Sequence, residues 1–215
     1  MKKLLILTVI AAASLLNSTS SAEGFETTDL ETNREKTTQT EQLVVQNNED
    51  IYTVQYGESV SDIAVEYGVP VEDLISENHL QGETVEEGDQ LVLPETVSDE
   101  EKELMARLVN AEARGESYEG KVAVATVVLN RVDSPQFPDT ITEVIYAKNQ
   151  FSPVADGSID LEPSEEAMDA VNEAIALQEE GTDATFFYNP DATDCQWIKA
   201  LPVIEVIGNH TFATS

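Results

Sequence analysis

The run from Val122 to Leu129 is apolar at every position except Thr126. It has no side to present to water, so it requires a layered domain that covers it all round. Alanine and β-branched residues are mixed within it. Its pattern suits a buried helix or a buried strand, and the residues alone leave that choice open. Segments with one apolar face lie on both sides, from about Asp99 to Phe212. Leu104, Met105 and Leu108 form the stripe of a helix that Ser98 or Asp99 can cap, and Glu100, Glu101 and Glu103 suit its N-terminal dipole. Gly115 is its expected stop. A second helix is predicted over Ser164 to Gln178, with Ala167, Val171, Ala174 and Ile175 on one face. Phe186 to Pro190 and Val203 to Ile207 read as strand edges.

A smaller apolar block precedes this one. Ile51 to Val54 reads as a strand, and Ser59 can cap a helix carrying Val60, Ile63, Ala64 and Tyr67 on one face. Gly68 ends that helix, and Pro70 opens another at a first-turn position, with Val71, Leu74 and Ile75 inward. Gln90 to Leu93 is a second strand, stopped by Pro94. Residues 51–95 are thus expected to form a βααβ unit, and residues 99–213 a second domain beyond a short acidic hinge, Glu95 to Glu101. Residues 23–50 are rich in Thr, Glu, Gln and Asn. They hold too little apolar surface to offset ordering entropy, and are expected to be a disordered linker. Met1-Lys2-Lys3, the apolar stretch Leu4 to Leu16 and Ser20-Ser21-Ala22 have the form of a secretory signal peptide, residues 1–22. The mature protein is expected to be secreted, without a membrane anchor.

Charge then narrows the partners. The 42 acidic side chains against 11 basic ones give a formal net charge of −31. A nucleic-acid binder needs a cationic footprint, and adhesion to anionic lipid needs a basic patch, so neither is expected. Such charge favours a soluble protein and a monomer. One cysteine, Cys195, forbids an intrachain disulfide, and His79 and His210 lie far apart. No metal site and no cofactor is expected.

Within the larger block, Glu112 lies about 20° from Met105 and about 40° from Leu108 on a helical wheel. A carboxyl group therefore sits on the apolar side of its helix, near the end. Desolvation raises a carboxyl pKa, and an acid kept protonated near neutral pH can give a proton to a leaving oxygen. The alternative is an acid that reaches solvent or pairs with Arg114 or Arg131.

The smaller block resembles the lysin motif, or LysM domain. The resemblance rests on Tyr52, Val54, Gly57-Glu58-Ser59-Val60, Ile63-Ala64, Tyr67-Gly68, Leu74, Asn78 and Gly88-Asp89-Gln90-Leu91 through Pro94. Glu58-Ser59-Val60 stands where the family most often has Asp-Thr-Leu. The resemblance implies binding to glycans containing N-acetylglucosamine. The implied groove lies between residues 57–60 and 78–81, with Gly57, Glu58, Ser59, Val60, Asn78 and Leu80 as its candidates. A neutral acetylated sugar needs amide partners and apolar contact, which suits a block without Lys or Arg. Gly57 and Asn78 can equally serve turn geometry.

The larger block resembles the spore cortex-lytic type of cell-wall hydrolase family, over about Leu104 to Phe212. Its most specific parts are Glu112-Ala113-Arg114-Gly115-Glu116, the stretch Gly120 to Arg131 and Ser134-Pro135-x-Phe137-Pro138. Phe187-Tyr188-Asn189-Pro190 and Gly208-x-His210-x-Phe212 support it. Two departures are Ala213 after Phe212, where an aromatic is frequent, and Val132, where some relatives carry a hydroxyl. The resemblance implies a lysozyme-like, mainly helical α+β fold, makes the Val122 run a helix, and makes Glu112 the catalytic acid of a peptidoglycan-cleaving enzyme. Glu116, Tyr146, Gln150, Phe151, Tyr188, Asn189 and His210 are the candidate substrate contacts. Trp197 and Cys195 either line the groove or pack.

No second acid pairs obviously with Glu112, as most glycoside hydrolysis would require. A one-acid scheme, lytic transglycosylation to a 1,6-anhydro sugar, is self-consistent. The alternatives are a hydrolytic muramidase and a non-catalytic wall-binding protein. An amidase or peptidase is disfavoured by the lack of a zinc-ligand cluster or a Cys–His signature.

Overall fold

The computed structural model describes residues 51–215. The expected signal peptide and linker lie outside the described residues.

The smaller unit is built as its sequence demands. Strand β1 (Ile51–Thr53) pairs antiparallel with β2 (Gln90–Val92), Tyr52 opposite Leu91. Helices α1 (Val60–Tyr67) and α2 (Val71–Glu77) lie between them in sequence. Ser59 and Asp62 close a reciprocal capping box, which satisfies two otherwise orphaned N–H groups at the start of α1. Val54, Val60, Ile63, Ala64, Leu74 and Leu91 fill the core. Pro70 stands at the cap of α2 in extended conformation, one residue earlier than expected. The Asn78 side chain donates to Leu74 O and Val92 O and accepts from Val92 N, tying the end of α2 to β2.

In the larger unit, α3 (Asp99–Glu112) begins at Ser98, whose Oγ accepts from Glu101 N. The Val122 run lies in α4 (Tyr118–Asp133), capped by Ser117, and is helical throughout. Residues 123–129 are all buried, so α4 is the central element. It is covered by α3, by α5 (Ile141–Tyr146), by α7 (Glu165–Ala176) and by β3 (Phe186–Tyr188). What decides helix over strand is this surround. At its C-terminal end Asn130 Nδ2 donates to Thr182 O and Ala184 O, and Arg131 Nε donates to Thr185 O. Helix α6 (Ser152–Asp156) precedes α7, and the short α8 (Gln196–Lys199) follows β3. Strands β3, β5 (His210–Ala213) and β4 (Val203–Ile207) form an antiparallel sheet in the order β3-β5-β4.

The two modules are docked on each other. Ala176 of α7 is buried within the core of the smaller unit, and Leu177 packs beside it. Asn172 Nδ2 donates to Glu66 O at 3.3 Å, and Lys102 Nζ donates to Tyr67 O at 2.7 Å. The acidic hinge read from residues 95–101 is shorter than expected. Residues 99–101 already belong to α3, and Val97 packs on the larger core.

Gly68 serves the docking twice. It ends α1 in the left-handed conformation (φ 59°), with its N–H bonded to Ala64 O and Val65 O, and a Cβ there would stand 2.5 Å from Asn172 Oδ1. Gly68→Ala is expected to lower stability by about 1–2 kcal/mol, from the left-handed backbone alone. Differential scanning calorimetry of the two proteins checks this, and an unchanged Tm would refute it.

Candidate active site

Glu112 is the last residue of α3, so its position follows from the apolar stripe that seats Met105, Leu108 and Val109 in the core. Its backbone ends the helix where the chain turns through Gly115 (φ 86°) toward α4. The side chain lines a cleft of about 560 Å³ together with Arg131, Gln150, Phe151, Phe186 and Trp197. Ser152, the first residue of α6, approaches from the far side. Its N–H donates to Glu112 Oε1 at 3.2 Å and its Oγ to the same oxygen at 3.3 Å. Both bonds fall on Oε1, so Oε2 makes no hydrogen bond among the described residues.

Burial pushes the Glu112 carboxyl above its ordinary range. The two bonds from Ser152 oppose that, the nearby Asp156 adds to it, and the Arg131 cation opposes it. Desolvation dominates, so the group is biased toward the protonated acid. Arg131 is only 5% exposed. Its guanidinium carbon lies 5.1, 5.0 and 5.6 Å from the ring centres of Phe137, Phe151 and Phe186. Neither Arg131 nor Arg114 forms an ion pair with Glu112, since the ion pairs among the described residues involve other groups.

The cleft gathers Glu112 with two of the expected contacts, Gln150 and Phe151, and with Trp197. Trp197 is 60% exposed and meets Phe186 edge-on, with ring centres 5.5 Å apart, leaving a face free for a sugar ring. The other expected contacts stand outside the cleft lining. Tyr146 is exposed on α5, and Asn189 accepts from Asp191 N in its own turn. Tyr188 pairs opposite Thr211 in the sheet. His210 is buried, packs on Phe187 and Phe212, and is disfavoured as a cation by that burial. Glu116 accepts from the N–H and the side chain of Asn209, which hold its carboxyl below the ordinary range. It is therefore a brace for the Gly208 turn. Cys195 is exposed and precedes α8.

Ser152, Arg131 and Phe186 enter the site without having been chosen from the sequence as substrate contacts. A signal for Ser152 existed in Phe151-Ser152-Pro153, where Pro in the first turn marks a helix start; that this start faces α3 is known only from the bonds to Glu112. Arg131 was one of two arginines the sequence offered as partners for Glu112; the structure brings it into the same cleft without an ion pair, because the two helices cross.

In the smaller unit the expected groove residues are largely engaged in holding the fold. Glu58 accepts from Tyr52 OH and from Gln55 N, and Ser59 caps α1. Val60 is buried, Leu80 packs on the core, and the Asn78 side chain makes three hydrogen bonds to Leu74 and Val92. Gly57 is exposed in the left-handed region (φ 87°), beside Tyr56, which is 88% exposed. A hollow of about 700 Å³ also lies between the modules, but its one lysine, Lys102, already donates to Tyr67 O.

A helical α+β domain with one desolvated carboxyl group in an aromatic-walled cleft, docked on a βααβ unit, defines a lysozyme-like domain carrying a lysin motif. Comparison with known proteins agrees. The chain matches the cell wall hydrolase family over residues 115–213, a stretch that begins just past Glu112, and the LysM domain over residues 52–94. It is 46% identical over 120 residues to the spore cortex-lytic enzyme of Oceanobacillus iheyensis, covering 56% of this chain and 44% of that relative. It is 42% identical over 120 residues to that of Bacillus subtilis, covering 39% of the relative. The solved catalytic domain of the germination-specific lytic transglycosylase SleB from Bacillus anthracis superposes with a TM-score of 0.52 at 42% identity, over 57% of this chain and 100% of that one. The chain belongs to the cell wall hydrolase family and carries a LysM domain. It spans less than half the length of these curated relatives.

Proposed function

We propose that this chain is a secreted, monomeric lytic transglycosylase that cleaves the glycan backbone of peptidoglycan between N-acetylmuramic acid and N-acetylglucosamine. The observation that carries the reading is the desolvated Glu112 carboxyl, with Oε1 held by Ser152 and Oε2 left free. Oε2 delivers its proton to the bridging oxygen as the bond to the muramic anomeric carbon breaks. The carboxylate left behind takes the proton of the muramic C6 hydroxyl, and that oxygen closes on the anomeric carbon. The products are a 1,6-anhydromuramic end and a free glucosamine hydroxyl, with no water consumed. Trp197 offers a sugar-stacking face, and Gln150 offers an amide to an acetamido group, while Phe151 is buried as part of the cleft wall.

The LysM unit holds glycan through the backbone around Gly57 and residues 78–81, with Tyr56 as a stacking surface. Fixed against α7, it keeps the cleft at high local substrate concentration. Both assignments support action outside the membrane, at the wall.

A hydrolytic muramidase is the second reading, because Asp156 stands close enough to raise the Glu112 pKa and is itself held low by its bonds from Ser158. Mass spectrometry of the products from purified peptidoglycan decides between them. Anhydro-muramic ends are expected, and reducing muramic ends would overturn the one-acid scheme. Asp156→Asn, which keeps the acceptor for Ser158, is expected to leave the lysis rate within about threefold, since the one-acid scheme needs no second carboxylate. A hundredfold loss would instead make Asp156 the second acid of a hydrolase.

A further inference from the structure

A buried guanidinium normally sits against a carboxylate, because leaving its charge uncompensated in a medium of low dielectric is expensive. Arg131 does not follow that rule. It is 5% exposed, one of its terminal nitrogens (Nη1) has no hydrogen-bond partner among the described residues, and its Nε is held by a neutral carbonyl, Thr185 O. Three phenylalanine rings from three different segments enclose the charge, all within 5.6 Å of the guanidinium carbon. An apolar side chain would fill that cage with no desolvation penalty. The charge therefore needs a reason, and the cleft supplies one. Arg131 and Glu112 line the same cavity without touching. Among the described residues, the ionisable groups that act on Glu112 are Asp156 from α6 and Arg131 from α4, and the one that acts on Arg131 is Glu112.

We infer that Arg131 is a positioning residue for Glu112: a fixed cation, held by aromatic faces instead of a counter-ion, that steadies the Glu112 carboxylate while its proton is on the substrate. The aromatic cage is essential to this role. A carboxylate partner would neutralise the cation and remove its field from the cleft, whereas π faces hold it in place and leave its charge uncancelled. Standing off from Glu112 by more than an ion-pair distance, it does not lock the acid in its ionised form between turnovers. Burial lowers the Arg131 pKa to about 10, which still leaves it charged at neutral pH. The cation also limits how far desolvation can raise Glu112, so it sets the pH above which the acid is lost.

The inference rests on Glu112 acting as the proton donor, and the test keeps the two separable. Lysis of purified peptidoglycan by the full chain is followed against pH for the parent protein, Arg131→Gln and Arg131→Lys, with folding checked by circular dichroism. Removing the positive charge lets the Glu112 pKa rise further. In Arg131→Gln the alkaline limb of the profile is expected to move up by about one pH unit, with the plateau rate reduced roughly tenfold. Arg131→Lys restores the charge, so its limb is expected to return to the parent position. Loss of rate with an unmoved limb would make Arg131 a packing residue and overturn the inference. So would a limb that moves equally in the lysine variant. Arg131→Met, which suits an aromatic cage, replaces the glutamine variant should that one fail to fold. A parent protein without lytic activity would defeat the functional reading itself, a result distinct from any of these.

Discussion

Glu112→Gln is expected to abolish wall lysis, lowering the rate by about 10²–10⁴-fold, while fold and glycan binding survive. Glutamine keeps the acceptor that Ser152 N–H and Oγ address, so the end of α3 and the start of α6 stay joined. What disappears is the proton on Oε2. Turbidity loss of a peptidoglycan suspension reads the rate, and co-sedimentation with the same material reads binding. A glutamine variant that lyses the suspension at the parent rate would refute the mechanism. For the parent, activity is expected to fall as pH rises through the Glu112 pKa, which burial places above the ordinary carboxylate range.

The same substitution makes a stability prediction of fixed sign. The folded protein holds the Glu112 proton more tightly than the unfolded chain does. Its contribution is therefore fully present below the unfolded pKa and is lost as pH rises through the folded one. Glutamine carries no charge to desolvate. The variant is expected to match the parent in acid and to melt at a higher temperature on the alkaline side. A variant that melts lower than the parent throughout would show that the site is not held against a desolvation penalty.

Phe212→Ala is expected to lower the stability of the larger unit by about 3–5 kcal/mol. Phe212 is fully buried on the central strand, β5, opposite Phe187 of β3 and Glu205 of β4. Its ring lies 6.1 Å from that of Phe187 and 6.2 Å from that of His210. Phe187 in turn stacks on Phe151, the cleft wall, at 6.4 Å and 28°. Losing the ring opens a cavity that the sheet cannot close without moving the wall. A small domain has about 5–15 kcal/mol in all, so the loss is a large part of it. Chemical denaturation measures it. A loss below about 1 kcal/mol would mean that the sheet collapses into the cavity and that Phe212 does not support the cleft.

Much of the architecture was legible from local rules. Ser59 and Ser98 cap helices as expected, and Ser117 and Ser164, not singled out as caps, do the same, because a hydroxyl before an apolar stripe satisfies an orphan N–H wherever it occurs. Glu112 was legible for a similar reason, since its angle to Met105 and Leu108 is a property of a single helix. The helical state of the Val122 run was not, because both periods satisfy a fully buried segment. The family resemblance supplied that answer, and the packing of α3, α5, α7 and β3 around the run gives its physical basis.

The expected substrate contacts divide on the same principle. Gln150 and Phe151 adjoin the turn that enters α6, and they reach the cleft because Ser152 binds Glu112. Tyr188, Asn189 and His210 lie in or beside a sheet whose pairing turns them elsewhere, and no spacing along the chain records that. The docking of the two modules also escaped the sequence, because Ala176 on α7 looks like any small residue on a helix until it meets the α1 face.

By itself, then, the chain determined where α1, α3 and α7 lie, which faces they bury, and that one of those faces carries a carboxyl group. These are short-range matters of hydrogen bonding and periodicity. Only the tertiary structure decided that this carboxyl faces a serine on one side and a caged guanidinium on the other. Those neighbours come from segments far apart in sequence, and their meeting is set by how the helices pack.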